Sequence, residues 1–264
     1  MNIDNMTRAD ILLKELGIAK SRNQAQTMIK KGYIKWNNKI VDKPSKLIDS
    51  NNLEVLNDLK YVGRGALKLE KAIDIFKIDI TDKICMDIGA STGGFTQVLL
   101  NHAAKLVYAI DVGRDQLDKT LLENKKVISM EETNFRYIDL NKFENIDLIS
   151  IDVSFISSKY ILPNAVSLLN DKGDIILLLK PQFETSEECS KKGIIKNKNV
   201  HINIISDIVN FITQLNCFIN NITFSPITGS KGNIEYLLHI RKDNKKNNNL
   251  NKENIKKLVE EAFN

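Results

Sequence analysis

The feature that most constrains the fold is an alternation of apolar runs and helical patterns that begins at Lys83. Amphipathic stretches such as GGFTQVLLNHA, GRDQLDKTLL and NVHINIISDIVNFITQL lie between most of the runs. This alternation predicts an α/β fold with a doubly wound, mainly parallel sheet. The last two strands follow each other without a helix, so we expect the final strand to be antiparallel. The predicted strands are residues 83–88, 105–110, 126–130, 146–152, 174–180, 217–224 and 233–240.

The turn after the first predicted strand, in MDIGASTGGFTQVLL, is the best candidate for a ligand site. Doubly wound sheets bind ligands beyond the carboxyl ends of the strands, where the strand order reverses. Gly89, Gly93 and Gly94 allow close approach of a backbone without interference from Cβ. Asp111 ends the second strand about twenty residues later, where a carboxylate can accept both hydroxyls of a ribose. A nucleoside pocket is therefore predicted, with a plain tight turn as the alternative. The predicted pocket residues are Asp87, Gly89, Ala90, Ser91, Gly93, Gly94, Phe95, Asp111 and Asp152.

The glycine spacing in this turn is G-x-x-x-G-G, which departs from the G-x-G-x-x-G fingerprint of dinucleotide-binding sites. A pyrophosphate is therefore not specifically indicated.

The segment before Lys60 has a different pattern and is predicted to form a domain of its own. A first amphipathic helix ends at Gly17, and Ser21 with Gln24 forms a capping-box start for a second helix. Asn37 and Asn38 then separate two short strands, as in a tight hairpin. Over about residues 6–52 this order resembles the S4-like RNA-binding domain. A small helical cap that packs on the main domain is the alternative.

The formal net charge of +5 is unevenly distributed. Residues 1–60 hold 11 Lys and Arg against 7 Asp and Glu, whereas residues 61–240 hold 20 against 22. A local basic surplus suits contact with phosphates, although a solvated surface has the same composition. Together with the S4-like pattern, it predicts an RNA-binding surface. Its predicted residues are Arg8, Arg22, Lys30, Lys31, Lys35, Lys39 and Arg64.

Charged residues stand at the ends of two neighbouring predicted strands. Lys180 ends an apolar run, which is unusual because an unpaired buried ammonium is costly. Asp152 ends the preceding strand, and the two side chains should lie at the same edge of the sheet. This pair indicates either a catalytic task or a structural ion pair at the rim of the sheet.

Taken in order, the motifs resemble the TlyA family of ribosomal RNA methyltransferases, which are related to the FtsJ 2′-O-methyltransferases. The resemblance rests on YVGRGALKL, MDIGASTGGFTQVLL, DVSFIS, LLKPQFE and SPITGSKGNIEYLLHI. Ala66 stands where family members often have a second glycine. The resemblance implies a Rossmann-like, seven-stranded domain that uses S-adenosylmethionine. It also implies a Lys-Asp-Lys-Glu catalytic set at Lys68, Asp152, Lys180 and Glu235.

The reaction that the resemblance implies is methylation of a cytidine ribose 2′-hydroxyl in ribosomal RNA. The partner would be ribosomal RNA within the small subunit, the large subunit or both. A ribose hydroxyl is a weak nucleophile at neutral pH, and Lys180 is expected to take or polarise its proton. Lys68 would favour the neutral amine of Lys180, while Asp152 and Glu235 would hold the two amines in position.

Other reactions and functions are less well supported by the sequence. Base-nitrogen methylation usually needs Asn or Asp before Pro-Pro-aromatic, and that place reads SIDVSFIS here. Carbon-5 methylation needs a cysteine nucleophile, usually beside proline, and no cysteine in the chain adjoins one. Two alternatives remain: a haemolysin-like cytolytic or membrane-binding protein, and a catalytically silent RNA-binding module that retains the pocket.

The remaining expectations concern domain limits and what the composition excludes. The predicted domains are an S4-like domain (1–59), a linker (60–67), a methyltransferase domain (68–242) and a basic tail that ends in a short helix (243–264). The polar stretch 184–198 could close over substrate or be an idle loop. No apolar run approaches the ~20 residues of a membrane span, so we expect a cytoplasmic protein without a membrane partner. The three Cys and three His are scattered, so neither a disulfide nor a metal is predicted.

Overall fold

The structure is a computed structural model. The chain forms two compact units, Met1–Leu67 and Lys68–Asn264. The structure describes residues 6–19, 21–30, 32–55, 61–185, 193–229, 231–242 and 250–264. Three predictions fall wholly or partly outside these residues: the RNA-binding role of Lys31, the centre of the 184–198 stretch and the first part of the basic tail.

The smaller unit has two helices and two small antiparallel sheets around one apolar core. The helices are α1 (Ala9–Glu15) and α2 (Arg22–Lys30). One sheet pairs β1 (Thr7–Arg8) with β4 (Leu47–Ile48), and the other has the order β3 (Lys39–Ile40), β2 (Ile34–Trp36), β5 (Leu53–Val55). The core side chains include Leu13, Ala25, Ile29, Ile34 and Ile48.

Local signals read from the sequence explain how this unit is built. The Ser21 hydroxyl accepts the backbone N–H of Gln24 at 3.1 Å, which confirms the predicted start of α2. Asn37 and Asn38 have φ of 49° and 62°, the left-handed conformations that a two-residue hairpin turn requires. The predicted helices and hairpin are therefore confirmed.

The larger unit is a single mixed sheet with helices along its connections. Its strands are β6 (Ile84–Ile88), β7 (Leu106–Ile110), β8 (Val127–Met130), β9 (Ile146–Ile151), β10 (Leu169–Leu179), β11 (Cys217–Phe224) and β12 (Tyr236–Lys242). Its α-helices are α3 (Ala66–Phe76), α4 (Gly94–Asn101), α5 (Lys119–Leu122), α6 (Leu162–Leu168), α7 (Pro181–Glu184), α8 (Lys198–Gln214) and α9 (Lys252–Phe263). Short 3-10 helices cover Phe135–Tyr137, Leu140–Lys142 and Ser158–Tyr160.

The strand order is β11-β12-β10-β9-β6-β7-β8. β6 pairs in parallel with both β7 and β9, and β9 pairs in parallel with β10. β12 is antiparallel to β10 and to β11. The predicted doubly wound α/β fold and its antiparallel final strand are thus confirmed. The order reverses between β6 and β9, which places the ligand-binding crevice of such sheets at their carboxyl ends.

The largest departures from the predicted limits occur in three elements, α5, β10 and β12. The helix expected in GRDQLDKTLL shrinks to α5 because the N–H groups of Asp115, Gln116 and Leu117 donate to the Glu131 carboxylate instead of forming a helix. β10 begins earlier than expected, at Leu169. β12 begins only at Tyr236, because the Asn233 side chain bonds the backbone of residues 193 and 195 and belongs to a loop.

The C-terminal residues of the larger unit form helix α9, in which Ile255 and Val259 are buried in the main core. Phe263 of this helix contacts the buried His201 ring edge-on at 5.0 Å between centroids. The end of the chain is therefore part of the packed unit. None of the helices in the described ranges is both long and apolar enough to cross a membrane.

Candidate active site

A cavity of about 380 Å³ lies at the carboxyl ends of the parallel strands. Its wall is formed by residues in and around the loops that follow four of these strands, β6, β7, β8 and β9. Much of the wall is apolar, and carboxylates, hydroxyls, an amide and the Arg136 guanidinium supply polar side-chain groups. The lining residues include Ile88, Gly89, Ser91, Asp111, Val112, Thr133, Asn134, Phe135, Arg136, Asp152, Val153, Ser154, Phe155 and Ile156.

Gly89 is needed in this wall because two backbones approach each other closely. It has φ of +84°, and a Cβ at this position would lie 2.6 Å from the carbonyl oxygen of Asp152. Any other residue would push the turn after β6 away from the end of β9. The glycine therefore sets the distance between the two loops that line opposite parts of the cavity.

Asp111 anchors the loop after β7. Its two carboxylate oxygens accept the N–H of Ser91 at 2.8 Å and the N–H of Gly113 at 2.7 Å. An ionised carboxylate can accept about four hydrogen bonds, so acceptor positions remain for a ligand in the cavity.

Asp87 lies behind the turn and not in the cavity wall. Its carboxyl is fully buried and accepts hydrogen bonds from the hydroxyls of Thr96 at 2.7 Å and Ser150 at 3.0 Å. Burial raises its pKa to about 7, and the two hydrogen bonds offset only part of that effect. Ala90, Gly93, Gly94 and Phe95 are also absent from the lining, whereas Gly89, Ser91, Asp111 and Asp152 belong to it. Direct ligand contact by the first group stays a prediction.

The four predicted catalytic side chains form two buried ion pairs, which we call the carboxyl-edge cluster. Lys68 Nζ lies 2.6 Å from Glu235 Oε2, and Lys180 Nζ lies 2.5 Å from Asp152 Oδ1. Asp152 follows β9 and Lys180 follows β10, so the parallel pairing of these strands brings the second pair together. Lys68, Lys180 and Glu235 are all less than 10% exposed.

Electrostatics couples the two pairs. Burial acts to raise the pKa of Asp152, but the charges of Lys68 and Lys180 and the hydrogen bond from Lys180 outweigh it and lower the pKa. The Asp152 carboxylate is therefore ionised and interacts with amines from both pairs. A charged group that approaches one pair will therefore also change the electrostatic potential at the other pair.

Several polar groups around Lys180 were not anticipated from the sequence. Lys180 Nζ also donates to the Ser154 hydroxyl at 2.9 Å. The Glu184 carboxylate, in α7, accepts the Ser157 hydroxyl at 2.5 Å and the Ser158 N–H at 2.8 Å. Glu184 thereby ties the loop after β9 to the segment after β10. The motifs DVSFIS and LLKPQFE contain these residues, but which side chains meet depends on the tertiary packing of the two loops.

Phe155 is the most conspicuous residue of that loop. Its side chain is 86% exposed although it lines the cavity, and its φ of 63° is rare for a bulky residue. The ring contacts Phe183 with centroids 5.1 Å apart. Exposed aromatic surface beside a cavity is a typical binding feature.

In the smaller unit, part of the predicted basic surface is organised by one buried carboxylate. Asp10 accepts hydrogen bonds from Arg8 at 3.0 Å, Arg22 at 2.9 Å and Gln26 at 3.0 Å. The bond from Arg8 is the main reason that the pKa of Asp10 is lowered. Both guanidinium groups stay partly exposed and are held in fixed positions.

The other predicted RNA-binding residues of the smaller unit differ in their surroundings. Lys35 pairs with Glu54 at 3.0 Å, Lys30 and Lys39 are exposed, and Arg64 is half-buried. That these residues bind RNA stays a prediction.

Comparison with known proteins assigns both units. Residues 61–242 match the FtsJ-like methyltransferase family, and residues 7–53 match the S4 domain. The S4-like resemblance of the first residues and the methyltransferase resemblance of the rest are therefore confirmed.

Similar proteins cover nearly the whole chain. The "Putative rRNA methyltransferase YqxC" of Bacillus subtilis is 42% identical over 262 residues, which span 97% of this chain and 93% of that protein. The "16S/23S rRNA (cytidine-2′-O)-methyltransferase TlyA" of Mycobacterium tuberculosis is 34% identical over 239 residues, 89% of each chain. A solved structure described as "Putative hemolysin from Streptococcus thermophilus" is 39% identical, with a TM-score of 0.76 over 98% of this chain and 96% of that one.

Proposed function

Because the chain belongs to the TlyA family of FtsJ-like methyltransferases, we propose that it methylates the 2′-hydroxyl of a cytidine ribose in ribosomal RNA, with S-adenosylmethionine as donor. The observation that carries the proposal is the carboxyl-edge cluster, in which two buried lysines and two buried or half-buried carboxylates meet at the edge of the sheet that holds the cavity.

The cavity fits a nucleoside. Its volume of about 380 Å³ lies in the range of small-molecule sites. Apolar side chains such as Ile88, Val112 and Phe135 suit the faces of a base, and Asp111 retains acceptor capacity for ribose hydroxyls. When bound there, S-adenosylmethionine supplies an activated methyl group on a positively charged sulfur. Asp111 and Gly89 would hold its nucleoside part.

We propose that Lys180 handles the proton of the ribose hydroxyl. It can take that proton only as the neutral amine, and the ammonium that results has two acceptors already in place, Asp152 and Ser154. These acceptors fix the direction of the amine, so the remaining position on Nζ is available to the substrate oxygen. A preformed arrangement of this kind lowers the cost of moving the proton.

Lys68 and Glu235 support this geometry. The Lys68 charge acts on Asp152, and Glu235 holds Lys68 by a short ion pair. Because all four groups are mutually coupled, removing one carboxylate leaves an amine without its partner in a buried site. We assign Lys68, Asp152, Lys180 and Glu235 to the catalytic centre on these grounds.

The smaller unit is proposed to recognise the RNA while the larger unit supplies the chemistry. We assign residues 1–59 to RNA binding, 60–67 to a linker and 68–242 to methyl transfer. The basic surplus before Lys60 and the fixed guanidinium groups of Arg8 and Arg22 support this division. Binding that depends on phosphates should weaken steeply with salt.

Mass spectrometry of nucleosides tests the reaction. Purified small and large ribosomal subunits that lack the modification are incubated with the protein and methyl-labelled S-adenosylmethionine, and the RNA is digested to nucleosides. We expect label in 2′-O-methylcytidine from at least one subunit. Label on a base, or none with either subunit or the intact ribosome, would contradict the proposal.

A salt series tests the role of the smaller unit. Lys30→Ala/Lys39→Ala removes two exposed lysines that have no ion pair within the described ranges. If both contact phosphates, the slope of log affinity against log salt should fall by about 0.7–0.9 for each lysine. Lys105→Ala/Lys125→Ala removes two exposed lysines of the larger unit and serves as the matched control. Equal slopes for both variants would move RNA recognition to another surface.

A further inference from the structure

Two exposed tyrosines of the larger unit converge on one arginine beside the cavity. Tyr137 is 75% exposed and Tyr160 is 61% exposed, although large aromatic rings are normally well covered. The guanidinium carbon of Arg136 lies 5.2 Å from the ring centroid of Tyr137 and 4.9 Å from that of Tyr160. We call these three residues the tyrosine–arginine platform.

The platform is assembled from two separate elements that are fixed to the core. Tyr137 ends the 3-10 helix Phe135–Tyr137, and Tyr160 ends the 3-10 helix Ser158–Tyr160. The Asn164 side chain donates to the carbonyl oxygens of Phe135 and Arg136, both at 3.2 Å. On the other side, Glu184 holds Ser158 by its N–H. The rings are therefore presented by a preorganised backbone.

The position of the platform links it to the candidate active site. Phe135 and Arg136 are part of the cavity wall, and the 3-10 helix that carries Tyr160 continues the loop of Asp152 and Phe155. The platform therefore borders the cavity in which we propose that S-adenosylmethionine binds.

The chemistry of the platform favours a flat π-system as its occupant. Tyrosine rings and a guanidinium plane stack on nucleobases, and stacking of this kind is how proteins hold unpaired RNA. Across the described ranges, Arg136 forms no ion pair with a carboxylate, so its charge is balanced only by the two rings and by solvent.

We propose that the tyrosine–arginine platform binds an unpaired nucleobase of the RNA substrate, next to the nucleotide that is methylated. The inference rests on the proposed function, because it takes RNA as the substrate of the adjacent site. The platform would give the methyltransferase unit its own contact with RNA. This contact would favour single-stranded RNA over a duplex, because it depends on an unpaired base and not on phosphates alone.

A binding experiment with the full-length chain tests the platform. The probe is a fluorescein-labelled 12-nucleotide RNA of mixed, non-complementary sequence, compared with the same strand in a full duplex. Tyr137→Ala/Tyr160→Ala should weaken single-strand binding by about 10-fold or more, since each lost stack is substantial. Tyr137→Phe/Tyr160→Phe keeps the rings and should bind within about twofold of wild type. Duplex binding should change by less than about twofold in both variants.

Arg136→Lys supplies a second test that does not alter the aromatic rings. It keeps the charge and removes the planar group, so single-strand binding should weaken while duplex binding is retained. Unchanged single-strand affinity of the alanine and lysine variants would overturn the inference, as would an equal loss for both forms of RNA. The methylation assay is independent: label in 2′-O-methylcytidine with no effect of these variants would reject the platform alone, whereas selective binding without methylation would reject the proposed function alone.

Discussion

The two ends of strands β10 and β12 carry two buried charge clusters that resemble each other closely yet differ in their surroundings. The carboxyl-edge cluster has Lys180 after β10 and Glu235 before β12. At the amino edge, Asp174 in β10 meets His239 of β12 at 2.8 Å, Lys83 at 3.0 Å and Arg241 at 3.1 Å. We call these four residues the amino-edge cluster. Asp174 and His239 are as well buried as the catalytic candidates.

The two clusters differ in the number of basic side chains for each carboxylate and in whether any member lines the cavity. At the amino edge three basic side chains, Lys83, His239 and Arg241, surround one carboxylate, which is held in the sheet between neighbouring strands. At the carboxyl edge two amines face two carboxylates, and one of them, Asp152, belongs to the cavity wall. No residue of the amino-edge cluster lines that cavity. Burial of charge therefore does not by itself distinguish the two clusters; the end of the strands at which they lie does, because only the carboxyl-edge cluster contributes a residue to the cavity wall.

The largest effect should separate matched lysines from the two clusters. Lys180→Ala removes the group that we propose to handle the hydroxyl proton, so we expect methyl transfer to fall by about 100-fold to 10,000-fold. S-adenosylmethionine affinity should be nearly unchanged, because Lys180 does not line the cavity. Transfer of label to ribosomal subunits and titration calorimetry measure the two quantities.

Lys83→Ala is the control for that experiment. It removes the lysine that pairs with Asp174 and should leave methyl transfer by the folded protein within about twofold of wild type. Near-normal transfer by Lys180→Ala would show that another group handles the proton.

Asp87 offers a third case for comparison with the two clusters, because its buried carboxyl is hydrogen-bonded to hydroxyl groups and, among the residues that the structure describes, is not paired with a basic side chain. The charges of Lys68 and Lys180 lower the pKa of Asp152 against the effect of burial, and hydrogen bonds from His239 and Lys83 do the same for Asp174. Burial instead raises the pKa of Asp87 from 3.8 to about 7. Between these values the unfolded chain has released the proton that the folded chain still holds, so this group makes the protein less stable as pH rises.

Asp87→Asn removes that titration. The free energy of unfolding of the variant, relative to wild type, should rise by about 4 kcal/mol from about pH 4 to about pH 8. Urea unfolding at both pH values measures it. Asp82→Asn, at an exposed position with φ of 57° that asparagine tolerates, is the control and should show no such trend. A difference that is independent of pH would mean that Asp87 is ionised in the fold.

The smallest effect is expected at the cavity wall, away from both clusters. Asp111→Ala removes a charged acceptor for ribose hydroxyls and should weaken S-adenosylmethionine binding by about 1.5–3 kcal/mol. Asp111→Asn keeps one acceptor oxygen and should lose less. Calorimetry decides it, and unchanged affinity in the alanine variant would move the ribose away from the end of β7.

The sequence predicts the carboxyl-edge pair Asp152 and Lys180 because strand direction alone determines where the ends of parallel strands meet. Asp111 was placed at the cavity by the same argument. The sequence did not show that Asp87 lies behind the cavity wall. Asp87 is in β6, directly beside the glycine-rich turn, and only the alternation of side chains between the two faces of that strand directs its carboxyl inward.

Contacts between loops were beyond the sequence pattern. Three features depend on how two loops pack: the left-handed conformation of Phe155, the hydrogen bond that Lys180 donates to Ser154, and the hydrogen bond that the Glu184 carboxylate accepts from Ser158. The short α5 has a similar cause, because Glu131 captures the N–H groups that would have continued the helix. Side chains distant in sequence outcompete local propensity at these positions.

The most direct test of the central claim compares one carboxylate from each cluster in the same two assays. Glu235→Gln and Asp174→Asn are each measured for the rate of methyl transfer to ribosomal subunits and for the free energy of unfolding. The account predicts that Glu235→Gln loses transfer by at least about 10-fold while it remains folded, because Lys68 is no longer held. Asp174→Asn should lose about 3 kcal/mol of stability, because Lys83, His239 and Arg241 lose their carboxylate partner, and should keep the transfer rate of the folded protein. Normal transfer by Glu235→Gln, or transfer lost by fully folded Asp174→Asn, would contradict it.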